Sequence, residues 1–274
     1  MLAALIIVFR EVFEAGLIIG IILAVTRAVP GRGSWIVAGV MTGLLGACLV
    51  AAFAGALSSF LSGMGQEVFN ALILGVAVVM LTWHNVWMAG HGKQLEGDMR
   101  AAGLAVAEGS KSLLALAIVV AVAVLREGSE VALFLYGVVT SDGGSSANLA
   151  MGAAIGLALG ASVCLLTYQG LLYIPPRPLF RVTTILISLL AAGMAAQAAS
   201  FLEKANWLTA LDSIVWDTGW LLPDNSLLGR TLHTLIGYTD QPTLLQLSVY
   251  LSVLLITFLF MRFAGSRTET IQVT

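Results

Sequence analysis

Long apolar runs alternate with short stretches rich in glycine, proline or charge along the whole chain. With breaks placed at those polar clusters, seven runs stand out, near residues 2–26, 35–60, 67–89, 113–139, 148–172, 180–201 and 243–263. Each approaches or exceeds the ~20 residues that an α-helix needs to cross ~30 Å of hydrocarbon. The pattern predicts an all-α, polytopic membrane protein with seven transmembrane helices in one domain, 1–274. The first run begins at Leu2 with no basic segment before it and no small-residue cleavage site after it. It is also too long for a signal-peptide core, so it is expected to be a retained span.

Composition excludes the soluble alternative. The chain is 59% hydrophobic and 10% charged, with a mean hydropathy of +0.97, whereas soluble domains carry about 25% charged residues. Cys48 and Cys164 both lie inside apolar runs and imply neither a disulfide framework nor a thiolate metal site. No nucleic-acid partner is expected; the lipid bilayer is.

The charges sort onto two sides. Arg27, Arg32, Lys93, Arg100, Lys111, Arg177, Arg181, Arg262 and Arg267 gather in the loops of one side, against Lys204 and Arg230 on the other. The positive-inside rule puts the N-terminus outside and the C-terminus in the cytoplasm. The outer side is acidic, with Glu67, Asp142, Glu203, Asp212, Asp217, Asp224 and Asp240. These acids are read as a solvated loop or as a vestibule that concentrates cations. Within it, Asp212, Asp217 and Glu67 are candidate capture ligands. Residues 91–112 are expected to form a cytoplasmic amphipathic helix running into the fourth span. Residues 203–242 are expected to lie along the outer interface, where Leu228, Leu232, Leu235 and Ile236 share one helical stripe and Trp207, Trp216 and Trp220 serve as anchors.

One four-residue frame occurs twice inside apolar runs: R-E-x-x-E in IVFREVFEAGLI and again in LREGSEVALF, offset by 116 residues from Arg10 to Arg126. Spaced glycines follow each copy at an offset of 113, Gly39 and Gly43 in one and Gly152 and Gly156 in the other. Such small-xxx-small faces allow close helix approach. The chain therefore reads as two repeats, about 1–90 and 113–202, plus a seventh span at 243–263. A three-span unit crosses an odd number of times, so its copies must be inverted. Inverted repeats are a common transporter plan, with the binding site at the midplane. At ~1.5 Å per residue, both charged motifs reach the same depth, on the order of 15 Å from the outer surface.

On a helix turning about 100° per residue, Glu14 and Glu11 lie ~40° and ~100° around from Arg10. Arg126, Glu130 and Glu127 fan over one face in the same way. Six intramembrane charges cost ~15–20 kcal/mol on insertion scales, so they must compensate one another or be wet. Arg–Glu bridges alone fail on stoichiometry, because each motif has two acids for one base. The four acids Glu11, Glu14, Glu127 and Glu130 leave a surplus of negative charge that a cation neutralises. Carboxylate oxygens suit hard ions and are also how helical proteins hold iron. This chemistry leaves ferric and ferrous iron, manganese, magnesium and calcium open.

LREGSEVALFL, paired with the N-terminal REVFEAGLIIGIIL and followed by WDTGWLL and LLGRTLHTLIGY, resembles the oxidase-dependent iron permease family over nearly the whole chain. Its members include fungal high-affinity ferric permeases and bacterial iron transporters, and some relatives are linked to lead. The resemblance implies iron uptake across the inner (cytoplasmic) membrane, with iron as substrate and no resident cofactor. It implies that Glu11, Glu14, Glu127 and Glu130 handle the metal and that Arg10 and Arg126 pair with them. It also implies work beside a separate periplasmic or extracellular oxidase or iron-delivery protein. Competing expectations are a permease for another cation such as lead or manganese, a structural subunit of an oxidase complex, and an intramembrane di-iron oxidoreductase. The last is disfavoured because neither motif carries a Glu-x-x-His ligand. His84 and Asn85 are expected near the cytoplasmic end of the third span, satisfied at the interface, with an exit relay through His84 as the alternative; Gln197 stands at the matching place, 113 residues on.

Overall fold

The apolar runs form helices. A computed structural model describes residues 1–61, 66–142, 146–170, 176–224 and 226–270. Among them are α1 (Leu2–Val25), α2 (Arg32–Leu61), α3 (Gln66–Ala107), α4 (Leu113–Asp142), α5 (Ser146–Tyr168), α6 (Pro176–Lys204), α7 (Leu227–Ile236) and α8 (Leu244–Thr270). The only β-pairing among the described residues is a single bridge between Ile214 and Thr243. The predicted last residues of the fifth span, 171–172, and the side chains of Lys93, Asp142, Arg177, Arg230, Leu235 and Arg267 lie outside those described.

Among the described residues, five segments are long and apolar enough to cross a membrane: Arg32–Ala56, Glu67–Met88, Ala147–Tyr168, Arg181–Lys204 and Leu244–Phe263. Helices α1 and α4 are as long, at 24 and 30 residues, but each carries the three charges of its R-E-x-x-E frame. The outward faces are apolar: Val37, Met41, Leu45, Leu49 and Phe53 along α2 are exposed, as are Met151, Ile155 and Leu159 along α5. That is how a surface looks when it faces lipid tails.

Between helices in lipid there is no hydrophobic driving force, so association rests on close packing. The most extensive interfaces, α2 on α4 and α5 on α1, are lined by the glycines of the sequence pattern. A Cβ placed on Gly39 would lie 2.6 Å from the Ala117 carbonyl oxygen, and one on Gly43 2.7 Å from that of Ala121. In the other pair a Cβ on Gly156 would lie 2.5 Å from the Leu5 carbonyl oxygen, one on Gly160 3.0 Å from that of Phe9, and Gly152 abuts the Met1 carbonyl. The correspondence extends to the partners. Gly39 and Gly152, like Gly43 and Gly156, are 113 residues apart, while Met1 and Ala117, like Leu5 and Ala121, are 116 apart.

Four helices, α1, α3, α4 and α6, form the centre. One buried cluster joins Ala3 and Ile7 of α1 to Leu74 and Leu81 of α3, Phe134 and Val138 of α4 and Ile187 and Met194 of α6. A second joins Ile18 and Ile22 of α1 to Ile36, Val106, Leu116 and Val120. Along both α1 and α4 the charged motif falls between these two dry layers.

Residues 91–107 do not form a helix of their own. They continue α3, a 42-residue helix about 63 Å long at 1.5 Å per residue, roughly twice the hydrocarbon thickness. No proline interrupts HGKQLEGDMRAAGLAVA, and the glycines within a helix cost only about 1 kcal/mol each. The helix stops before Gly109, whose φ of 75° is left-handed and suits glycine alone among ordinary residues. The polar half thus extends the third span; it does not lead into the fourth.

Helix α7 is capped at both ends. The Ser226 hydroxyl accepts from the Gly229 N–H at 2.9 Å, and Gly237 closes the other end with φ 70°. Gly237 rests on Gly193 of α6, where a Cβ would meet the Gly237 Cα at 2.7 Å. Gly193 lies about 16 Å along the helix from Lys204. The end of α7 therefore packs against α6 well back from that helix's C-terminus.

Candidate functional site

Helices α1 and α4 bring their motifs face to face, as the 40° and 100° offsets require, and each motif makes the same internal pairing. Arg10 Nε donates to Glu14 Oε1 at 2.8 Å, and Arg10 Nη1 lies 3.9 Å from Glu11 Oε1. On α4, Arg126 Nε donates to Glu130 Oε1 at 3.3 Å and lies 3.8 Å from Glu127 Oε1. Each arginine thus holds the glutamate one turn on and leaves its immediate neighbour less engaged. Arg10 and Glu11 are each 1% exposed, Glu127 3% and Glu14 4%.

Five carboxylate oxygens in this cluster are buried and accept no hydrogen bond: both of Glu11, and Oε2 of Glu14, Glu127 and Glu130. A buried carboxylate without a donor is expensive unless something positive meets it. Two groups of side chains converge closely enough to hold a cation, each with its ligand atoms within 4.8 Å of one another. One is Glu11, Glu14 and His84; the other is Glu11, Glu127 and Glu130. Glu11 belongs to both.

The imidazole is the group the sequence misplaced. His84, expected to be satisfied at the interface, is buried in the cluster, 4% exposed. Its Nε2 lies 3.7 Å from Glu14 Oε2, and its Nδ1 meets Glu130 Oε2. Asn85 is buried too, and its amide donates to Ser188 Oγ of α6 at 3.3 Å. The span does end close by, at Met88 as expected; what the sequence did not show is that α1 and α4 cover the ring there, on a helix that runs on to Ala107. The usable signal was an ionisable residue within an apolar run, which is a functional candidate by default. Trp87, one turn further along, stacks under Arg126 with the guanidinium carbon 4.1 Å from its ring centre. Trp87 in turn stacks on the exposed His91 at 5.1 Å. Arg126, with 30% of its side chain exposed, is therefore the accessible edge of the cluster, and Arg10 its sealed one.

The outer acids are dispersed. Asp212 is exposed, and Glu67 is exposed in the first turn of α3. Asp217 is occupied in the loop itself, accepting from the Gly219 N–H at 2.9 Å and the Gln241 amide at 3.0 Å. Asp224 and Asp240 accept reciprocally from each other's backbone N–H groups; partial burial and the neighbouring Asp240 raise the Asp224 pKa. Glu203 accepts from Thr243 and Gln246. Among the described residues, none of the three capture candidates belongs to a group of three or more ligating side chains that converge on one point.

Breaking the sealed pair should cost more than breaking the open one. Arg10→Leu is expected to destabilise by about 3–5 kcal/mol, as when one partner of a buried ion pair is removed. Arg126→Leu should cost clearly less, because its side chain is 30% exposed against 1% for Arg10. Thermal unfolding of the two variants in detergent checks the order.

The fold and the cluster define a multi-pass helical membrane protein with acids and bases gathered inside it. The chain belongs to the Iron permease FTR1 family, which it matches over residues 1–266. It is similar to the ferrous iron permease EfeU of Escherichia coli O6:H1 (strain CFT073), at 31% identity over 278 residues covering 97% of this chain and 98% of that one. It is also similar to ferrous iron permease EfeU of Yersinia pestis, at 31% identity over 255 residues covering 91% and 89%. No solved structure matches the chain. The protein is an iron permease, a transporter and not an enzyme.

Proposed function

We propose that this permease carries iron inward across the cytoplasmic membrane with high affinity, binding it between Glu11, Glu14, Glu127 and Glu130. The observation that carries this reading is the convergence, from two antiparallel helices, of four glutamates against two arginines, with five of their carboxylate oxygens buried and accepting no hydrogen bond. Four glutamates against two arginines leave a formal charge of −2 with the imidazole neutral, which matches one divalent ion. The names of the relatives, ferrous iron permeases, favour iron(II) as that ion.

In this reading seven helices cross the bilayer, α1–α3 and α4–α6 being inverted repeats and α8 the added span. The matching glycine contacts of α2 on α4 and α5 on α1 support the repeat. The basic residues at one end of the bundle support an N-terminus outside and a C-terminus in the cytoplasm. The site lies between the dry layer at Ile7 and Phe134 and the one at Ile18 and Val120. Both layers are closed at once, as an occluded intermediate requires. Alternating access then parts the outer layer to admit iron from the acidic face, where Asp212, Asp217 and Glu67 add negative potential, and parts the inner one to release it. A separate oxidase or iron-delivery protein would present the metal outside.

Purified protein in liposomes should take up iron unaided, faster as iron(II) than as iron(III), with a proton gradient separating driven from passive entry. Failure to transport either ion would return the chain to the role of a structural subunit. Equal competition by lead or manganese would move the assignment to a broader cation permease.

A further inference from the structure

We infer that His84 is a nitrogen ligand of the transported cation and the residue that makes the site prefer borderline transition-metal ions over magnesium and calcium. The inference rests on the cluster being the transport site, and it adds a donor from a third helix.

Three observations carry it. First, the ring is placed between the two motifs, touching Glu14 of α1 and Glu130 of α4, and converges with Glu11 and Glu14 closely enough to share an ion. Second, it has no other employment. Both ring nitrogens are buried and face only these carboxylates, and its remaining close neighbour is the edge of Phe134, with ring centres 6.4 Å apart. Third, its direction is fixed. The adjacent Asn85 is tied to Ser188 of α6, which holds the rotation of α3 and so aims His84 at the acids.

The chemical consequence follows from donor type. A site of carboxylates alone suits magnesium, calcium and manganese, whereas imidazole suits iron, zinc, copper and nickel. Magnesium also gives up its water reluctantly and demands near-ideal octahedral geometry. An imidazole ligates as the neutral ring, so His84 adds affinity for iron(II) without altering the charge balance of four glutamates, two arginines and one divalent ion. The R-E-x-x-E frames supply charge; His84 supplies discrimination. The second repeat has Gln197 at the equivalent position, so the site contains one such ring and is chemically lopsided.

Pulsed electron paramagnetic resonance with Mn²⁺ as the spin probe, on the full-length protein in detergent, tests this. Bound Mn²⁺ should show the modulation of a directly coordinated ¹⁴N nucleus. Labelling the three histidines with ¹⁵N should replace that modulation in protein of otherwise unchanged sequence. His91→Gln should leave it intact and His84→Gln should remove it. In competition binding, His84→Gln should lower the preference for Fe²⁺ over Mg²⁺ by about 10-fold or more, at least the effect of losing a partner outside the ligand shell. Mn²⁺ that needs Glu11 for binding yet shows no nitrogen coupling would overturn the role of His84 and leave the carboxylate site standing. No Glu11-dependent Mn²⁺ binding at all would overturn both. Unchanged selectivity in a folded His84→Gln variant would overturn the discrimination.

Discussion

Glu11→Ala is expected to reduce iron uptake by about 100-fold or more while the protein still inserts. Partners outside the ligand shell typically contribute 10–100-fold to affinity or activity, so a ligand itself should reach or pass the upper end. Glu11 is the carboxylate shared by both converging groups, and neither of its oxygens has a hydrogen-bond donor. Its loss removes an oxygen from each half of the site and cuts the surplus negative charge from two to one. Glu130→Ala should be milder, because Glu130 enters only one of the groups and its side chain is 14% exposed. Radioactive iron entering proteoliposomes, normalised to inserted protein, gives the comparison; wild-type uptake by Glu11→Ala would rule the cluster out as the pathway.

Gly43→Leu and Gly156→Leu should each prevent assembly of a folded protein. At Gly43 a first carbon already stands 2.7 Å from the Ala121 carbonyl oxygen and 2.7 Å from Val124 Cβ; at Gly156 it stands 2.5 Å from the Leu5 carbonyl oxygen and 3.0 Å from the Phe9 nitrogen. The obstacles include backbone, which no rotamer change relieves. Even alanine should cost about 1–3 kcal/mol as overpacking, at roughly 2–4 °C of melting temperature per kcal/mol for a chain of comparable size. A leucine wedge would separate the helices outright. Gly20→Leu and Gly75→Leu provide the contrast, since a Cβ at either position meets nothing within 4 Å. Size-exclusion profiles and thermal melts of the four variants should split them two against two.

The helical architecture was legible because lipid imposes a long, nearly uninterrupted apolar signal. The charged motifs were legible because arginine and glutamate are rare at such depth. Glycine spacing also foretold which faces approach closely. What sequence could not supply was the end of α3. Nothing in hydropathy distinguishes a helix that stops at the interface from one that continues into water, since glycine, lysine and glutamate serve both. The end of the span itself was read correctly, at Met88; what hydropathy does not carry is which helices cover His84 there, and so the imidazole dropped out of the donor set. The loop between α6 and α8 illustrates another difficulty: its spacing of aspartates does not disclose that Asp217, Asp224 and Asp240 accept hydrogen bonds from amides of the same loop.

The exchange of partners between α1–α3 and α4–α6 has a mechanical meaning. Each group of three lends its second helix to the first helix of the other, like two hands clasped, and at those grips backbone rests on backbone with scarcely a side chain between. Neither group can swing as a solid body. The pieces free to shift are mixed couples, α1 carrying α5 and α4 carrying α2, sliding past the α3–α6 spine that bears the ring of His84.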